Sequence, residues 1–389
     1  MKLKTRLLAS SVLGVAMAIP SLAFAQSIPS VVVKVENLAP ERGTFQTPVW
    51  IGIHDGTFDI YDRDVAADTL LGPGVVEALA EDGNNGPITD TFEARNPGRP
   101  QANLLAPGGP FQPGSRSALT LQVDPSSDQY FSYGSMVIPS NDFFVANGNP
   151  LAHQLFNDGG NFVGQDIIVA GSEVLDAGTE VNDEVASNTA FLNQPALNTG
   201  ADEGGTVVLG NGFAAPGSLA YPNGVLNHPA FAIGDFTADG YRTLGFQFQF
   251  VDLGRRVRLA SDLSSDQEVS TVAVTSGGSG SARLTAGGGN HLNVQIRFRD
   301  TTGPLTMAHL HLGQEGTNGP VVVDLGSGIG NNEVTLRADA SDVTGPLAET
   351  ENPFLSLLNE LAAGNIYINL HTEAFPAGEL RGQVNLSER

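Results

Sequence analysis

The sequence predicts an all-β protein, built as two antiparallel β-sandwich domains in tandem with one or two short helices. Three observations carry that prediction. Short segments of period-two alternation recur along the whole chain. Gly (47) and Pro (23) are frequent and, with Asn and Asp, punctuate those segments with turns. Only two windows show the spacing of an amphipathic helix.

The elements follow in order. The chain opens MKLKTRLLASSVLGVAMAIPSLAFAQS. Lys2, Lys4 and Arg6 form a basic start, an apolar run follows, and Ala23-Phe24-Ala25 has the small-x-small pattern of a cleavage site. Residues 1–25 therefore read as a secretory signal peptide, and the product is expected to be exported, to the periplasm or the cell exterior. No later run reaches the ~20 apolar residues of a membrane span, so no transmembrane anchor is expected. Strands are expected at 31-VVVKVENL-38, 49-VWIGIHD-55, 118-ALTLQVD-124, 244-LGFQFQFVDL-253, 292-LNVQIRFRD-300 and 365-NIYINLHT-372. In the fourth, Phe246, Phe248 and Phe250 alternate with Gln247 and Gln249, the pattern of a half-buried strand. One helix is expected in 72–83, with Val75, Val76, Leu79 and Ala80 on one face and Gly83 as its stop. A second is expected in 351–364, with Pro353 in the first turn, an apolar stripe of Phe354, Leu357, Leu358 and Leu361, and Gly364 at the end. Residues 83–117 and 185–225 read as long loops, and 276-SGGSGSA-282 as a hairpin. A boundary near residue 252 divides the mature chain into domains of 26–252 and 253–389.

The signal segment holds three of the 19 basic residues and none of the 42 acidic ones, which leaves the mature chain at a net charge of −26. Such a surface repels nucleic acid and offers carboxylates to divalent cations. Cysteine is absent, which removes disulfides, thiol catalysis and Cys-type zinc sites. No GxSxG elbow, HExxH, Walker loop or GxGxxG before a helix is present, so a non-catalytic role is expected.

Four stretches of the first half, 47-TPVWIGIHDGTFDIYD-62, 75-VVEALAEDG-83, 135-SMVIPSNDFFVAN-147 and 175-LDAGTEVNDE-184, resemble the spondin domain over residues ~28–252. That resemblance implies a β-sandwich that binds calcium and acts in adhesion and recognition, with an extracellular protein or carbohydrate as ligand. It places Asp142, Asp176 and Glu180 at the family's calcium positions, with Glu180 standing where animal members carry Asp. The residues themselves are compatible. Asp142 follows a Pro139-Ser140-Asn141 turn, and Asp176 and Glu180 share a Gly-containing loop. Calcium wants six to eight hard oxygen ligands, which loop carboxylates and carbonyls supply. The nearby 54-HDGTFDIYDRD-64 looks like a ligand cluster but lacks the EF-hand pattern, and reads as structural.

In the second half, 259-LASDLSSDQEV-269, 308-AHLHLGQEGTNGPVVVDL-325 and 364-GNIYINLHTEAFPAGELRGQV-384 resemble the chordin-type CHRD domain over ~258–386. The whole arrangement is similar to that of bacterial exported spondin-domain proteins. On a strand, His309 and His311 share the face opposite Ala308, Leu310 and Leu312. Tyr367, Asn369 and His371 likewise share the face opposite Ile366, Ile368 and Leu370. If the two strands are neighbours, His309, His311 and His371 converge, and three imidazoles with a water make a Zn²⁺ or Cu²⁺ site. That site is the basis of an alternative reading as a redox or hydrolytic metalloenzyme. A second account of the same residues is a metal-free polar network, in which Glu379 and Arg381 pair with the imidazoles and backbone carbonyls.

Overall fold

The alternating segments pair into three sheets, and every strand pairing among the described residues is antiparallel. The computed structural model describes residues 29–387 except 107, 220–221, 253–256, 272 and 287–290. The expected signal peptide, and the chain that directly follows the expected boundary at 252, lie outside the described residues.

The first sheet runs Arg116–Gln122, Pro29–Asn37, Arg242–Asp252, Ile167–Ala170. The second runs Val208–Leu209, Leu175–Asp176, Phe143–Ala146, Tyr130–Ile138, Val49–His54, Gln101–Leu104, with Phe45–Gln46 paired to Tyr130–Ile138. Alternation sends Val31, Val33, Val35, Leu244 and Phe246 of the first sheet against Val49, Ile51, Ile53, Phe131 and Val145 of the second. The two sheets form a sandwich, and each large side chain buried between them contributes about 1.5–3 kcal/mol. The other face of the second sheet is also buried, by Val76, Leu79, Ile88 and Phe92 packed around Trp50, Phe58 and Phe144. This explains why Val49–His54 is buried at all six positions rather than at alternate ones.

The expected helix near 72–83 forms over Val75–Asp82 and ends on Gly83 at φ 60°. The long loop expected at 83–117 is a correction. It contains the helix Gly86–Arg95 and the strand Gln101–Leu104. Only Ile88 and Phe92 of that helix are buried, so its apolar stripe is one residue wide and too weak to read as a period. The segment 276–282 is likewise not a hairpin of its own. Residues 276–278 close the connection from Val257–Ser264, and the strand Ser279–Ala286 already starts at Ser279.

The third sheet runs Val321–Asp324, Leu305–Leu312, Ile366–Thr372, Leu380–Gln383, Val257–Ser264, Ser279–Ala286, His291–Arg299, Glu333–Asp339, with Asn385–Leu386 paired to Val257–Ser264. Its inward side chains from both ends, among them Leu310, Val322, Leu284, Val294 and Val334, meet in one core, so the sheet folds over on itself. The helix Pro353–Ala363 seals that core with Phe354, Leu357 and Leu361. Asn352 accepts the Leu355 N–H at 3.1 Å as its N-cap, and Gly364 ends it at φ 74°. No helix among the described residues is long and apolar enough to cross a membrane.

Candidate functional site

Among the described residues, two groups of side chains bring together atoms able to hold a metal ion, one at an end of the second sheet and one on the third. In the first, Phe143 pairs with Asp176, which sets Asp142 and Asp176 side by side. Asp142 Oδ2 accepts the backbone N–H groups of Thr179 (2.9 Å) and Glu180 (3.1 Å) and the Thr179 hydroxyl (3.2 Å). Asp176 Oδ1 accepts the Gly178 N–H at 2.9 Å. The two remaining oxygens, Asp142 Oδ1 and Asp176 Oδ2, each lie 3.0 Å from the amide nitrogen of Asn182.

The third carboxylate grouped with this pair is one the sequence did not single out. Glu203, not Glu180, has an oxygen within 4.8 Å of those of Asp142 and Asp176. Glu180 forms a strand-like bridge with Asp202 that brings Glu203 in from the distant loop. The Glu180 side chain packs against Gly200, where a Cβ would collide with its carboxylate. It is 2% exposed, and both its oxygens are buried without a hydrogen-bond partner. Burial and then the charge of Glu81 push its carboxyl up to about 8. Burial and Asp142 push Asp176 up to about 7, and burial pushes Glu81 up to about 7. Burial also raises Asp142. The charges these groups feel most are those of other carboxylates. Asp183 and Glu184 stand outside the cluster as loop braces. Asp183 accepts from Val185 N–H and the Asn188 amide, and Glu184 from Ala214 and Val225 N–H.

Within the ligand-like stretch at 54–64, His54 and Asp55 are held by neighbouring groups. His54 is fully buried, accepts the Gly56 N–H at Nδ1 (3.0 Å) and therefore donates from Nε2 to Ser132 Oγ (2.9 Å). Asp55 pairs with Arg99 at 3.0 Å.

On the third sheet, Leu305–Leu312 and Ile366–Thr372 are direct neighbours, with His309 opposite Asn369, His311 opposite Tyr367 and His371 opposite Met307. Ala308 and Leu310 enter the core, and the histidines take the other face. His371 thus sits diagonally from His309, a spacing long side chains can span. His309 Nδ1 and His371 Nε2 are 3.2 Å apart, and one ring nitrogen from each of the three histidines lies within 4.8 Å of the others. His311 Nδ1 is 2.9 Å from the Gly319 carbonyl oxygen, and His371 Nδ1 is 3.1 Å from that of Pro376. The strand order, the paired histidines and the closing turn complete a pattern that can be compared with known domains.

Residues 259–384 are a CHRD domain. The match covers the third sheet and its helix apart from Asn385–Leu386 and the first two residues of Val257–Ser264. No spondin domain is found in the preceding residues, so that resemblance rests on its motifs alone. No curated protein matches the chain.

Within the CHRD domain the polar network differs from the one expected. Glu379 does not touch the imidazoles. Its carboxylate accepts Ser276 Oγ, Thr302 N–H, Thr302 Oγ1 and Thr372 Oγ1 at 2.6–2.8 Å. Burial pushes its carboxyl up, but these hydrogen bonds outweigh that and the net shift is down. Arg381 also leaves the histidines alone. It donates to the Gln314 and Thr317 carbonyls and to Asn318 Oδ1, and its guanidinium lies 3.6 Å over the Tyr367 ring. The His311 ring stacks on Tyr367 at 4.8 Å and 8°. Arg381 and Tyr367 thereby pin the 313–320 loop of the CHRD domain beside His311. Burial lowers the pKa of all three imidazoles, that of His371 to about 4. Glu203, Asn182 and the two backbone carbonyls carry no sequence signal, since each reaches its place only through tertiary pairing.

Proposed function

We propose that the chain is an exported recognition protein without catalytic activity, whose first two sheets hold a calcium ion and whose ligand is an extracellular protein or carbohydrate. The observation that carries this reading is the packing of Asp142, Asp176, Glu180 and Glu81 into one poorly solvated region, with the exposed Glu203 at its rim and no compensating cation among the described side chains. Buried carboxylates repel one another and lose hydration, a cost of several kcal/mol unless a cation is bound. The donor set fits calcium, which takes carboxylate and amide oxygens and tolerates irregular geometry. Asp142, Asp176 and Glu203 would hold the ion. The Asn182 amide nitrogen occupies the space between two carboxylate oxygens, and turning that amide over presents its oxygen to the ion instead. The bound ion would fasten the 176–184 loop to the second sheet and fix the loops at that end of the sandwich, where sandwich proteins present binding surfaces. The spondin-like motifs and the CHRD domain support an extracellular role.

Thermal unfolding with calcium and with chelator tests the reading. Calcium at millimolar concentration, as expected for an extracellular site of Kd about 10⁻⁴–10⁻³ M, raises the midpoint, and Asp176→Asn abolishes the rise. A wild-type midpoint indifferent to calcium overturns the proposal. Arrays of polysaccharides and extracellular proteins then read recognition directly, as signals that vanish on chelation.

A further inference from the structure

The three CHRD histidines have features that the calcium reading does not use. The carbonyl oxygens of Gly319 and Pro376 can only accept, so the Nδ1 atoms of His311 and His371 must carry protons. Each ring therefore presents a bare lone pair at Nε2. For His371 that lone pair faces His309 Nδ1 at 3.2 Å. For His311 it has no hydrogen-bond partner, although the atom is buried. Metal-ligating imidazoles are oriented in the same way, by a carbonyl or carboxylate that accepts the other ring N–H. In a metal-free hydrogen-bond network, a histidine held with one nitrogen satisfied and the other desolvated loses a hydrogen bond for no return. The same atom is accounted for as a ligand.

We infer that His309, His311 and His371 form an open three-imidazole site for a divalent first-row transition ion, zinc or copper. Bond lengths of 2.0–2.1 Å in a tetrahedral site set nitrogen atoms about 3.3 Å apart, and the His309–His371 separation of 3.2 Å fits that edge. One nitrogen of His311 lies within 4.8 Å of one from each of the other two. The donors are neutral nitrogen ligands, which suit zinc and copper and disfavour calcium and magnesium. No fourth His, Asp or Glu joins the group among the described residues. The surroundings stay open on that face. Met307, two residues before His309, is 41% exposed, and Asp324, opposite His309 on the neighbouring strand, is exposed as well. The fourth position is left to water or an outside donor. This site is independent of the calcium reading, with different sheets, different donors and a different ion.

Equilibrium dialysis of the purified full-length chain against zinc, copper(II) and cobalt(II), with metal counted by mass spectrometry, tests the inference. The expected result is one equivalent per chain and, for cobalt, the intense visible absorption of a tetrahedral ion. Competition between zinc and copper identifies the preferred ion. His309→Gln and His311→Gln each weaken binding by more than the about 10–100-fold that loss of an orienting partner costs, while His228→Gln, a histidine outside the CHRD domain, does not. The cobalt spectrum of the wild type stands even if a variant misfolds. Failure of the folded wild type to take up any of the three ions, or uptake unchanged in both His309→Gln and His311→Gln, overturns the site.

Discussion

Gly319 carries several demands at once. A Cβ there would collide with the Leu312 carbonyl, so only glycine lets the 313–320 loop turn back onto its own strand. In that position its carbonyl receives the His311 N–H, and its N–H is 3.2 Å from the Tyr367 hydroxyl. Gly319→Ala must push the loop outward, and we expect a loss of about 1–3 kcal/mol together with release of the His311 ring. Denaturant unfolding reads the first, and imidazole nitrogen NMR reads the second as a change in the His311 tautomer. An unchanged tautomer would remove Gly319 from the account. The same scale shows why the expected role of Glu379 did not hold. Strand alternation allows Glu379 to reach either a histidine or a hydroxyl, and three hydroxyls and an N–H lie closer.

Among elements, the 176–184 loop is the one whose behaviour depends most on pH. In an unfolded chain its carboxyls titrate near about 4. In the fold Asp176 titrates at about 7 and Glu180 at about 8, and Glu81, packed beside them, at about 7. The native state therefore keeps protons that the unfolded state has lost. No penalty exists below the unfolded values. It grows as pH rises above them and is complete once pH passes the folded values. Calcium-free protein is thus expected to lose stability between about pH 5 and pH 8, and saturating calcium to flatten that slope by replacing the protons. Thermal midpoints across the pH range, with and without chelator, check both parts. A calcium-free midpoint that rises toward pH 8 contradicts the assignment.

At the scale of the whole molecule, the helix Pro353–Ala363 has two partners. Phe354, Leu357 and Leu361 close the CHRD core, while Ala362 and Ala363 pack with Val32 and Ala118 of the first sheet. Asn359 Oδ1 accepts the Thr120 N–H at 3.1 Å, and the Asn365 amide donates to the Arg116 carbonyl at 3.3 Å. Both backbone groups belong to the edge strand Arg116–Gln122, so the helix also covers an edge open to pairing with other chains. Ala363→Glu places a charge in that small apolar contact. The expected outcome is separation of one calorimetric unfolding transition into two, with the CHRD half still folded. A single transition in the variant would show that the contact does not couple the halves.

The sequence by itself determined the all-β class, the six long strands, both capped helices and the face on which His309, His311 and His371 lie. Periodicity of two and 3.6, glycine stops and a first-turn proline are local signals, and burial followed them. The helix Gly86–Arg95 escaped because two buried residues make no readable stripe. What only the tertiary structure decided was partnership. Strand register set His371 diagonal to His309, the Glu180–Asp202 bridge brought Glu203 beside Asp142 and Asp176, and backbone carbonyls rather than Glu379 lie against the imidazole Nδ1 atoms. Each depends on which chain segments meet, and residues 62 apart in sequence, such as His309 and His371, carry no local sign of being 3.2 Å apart in space.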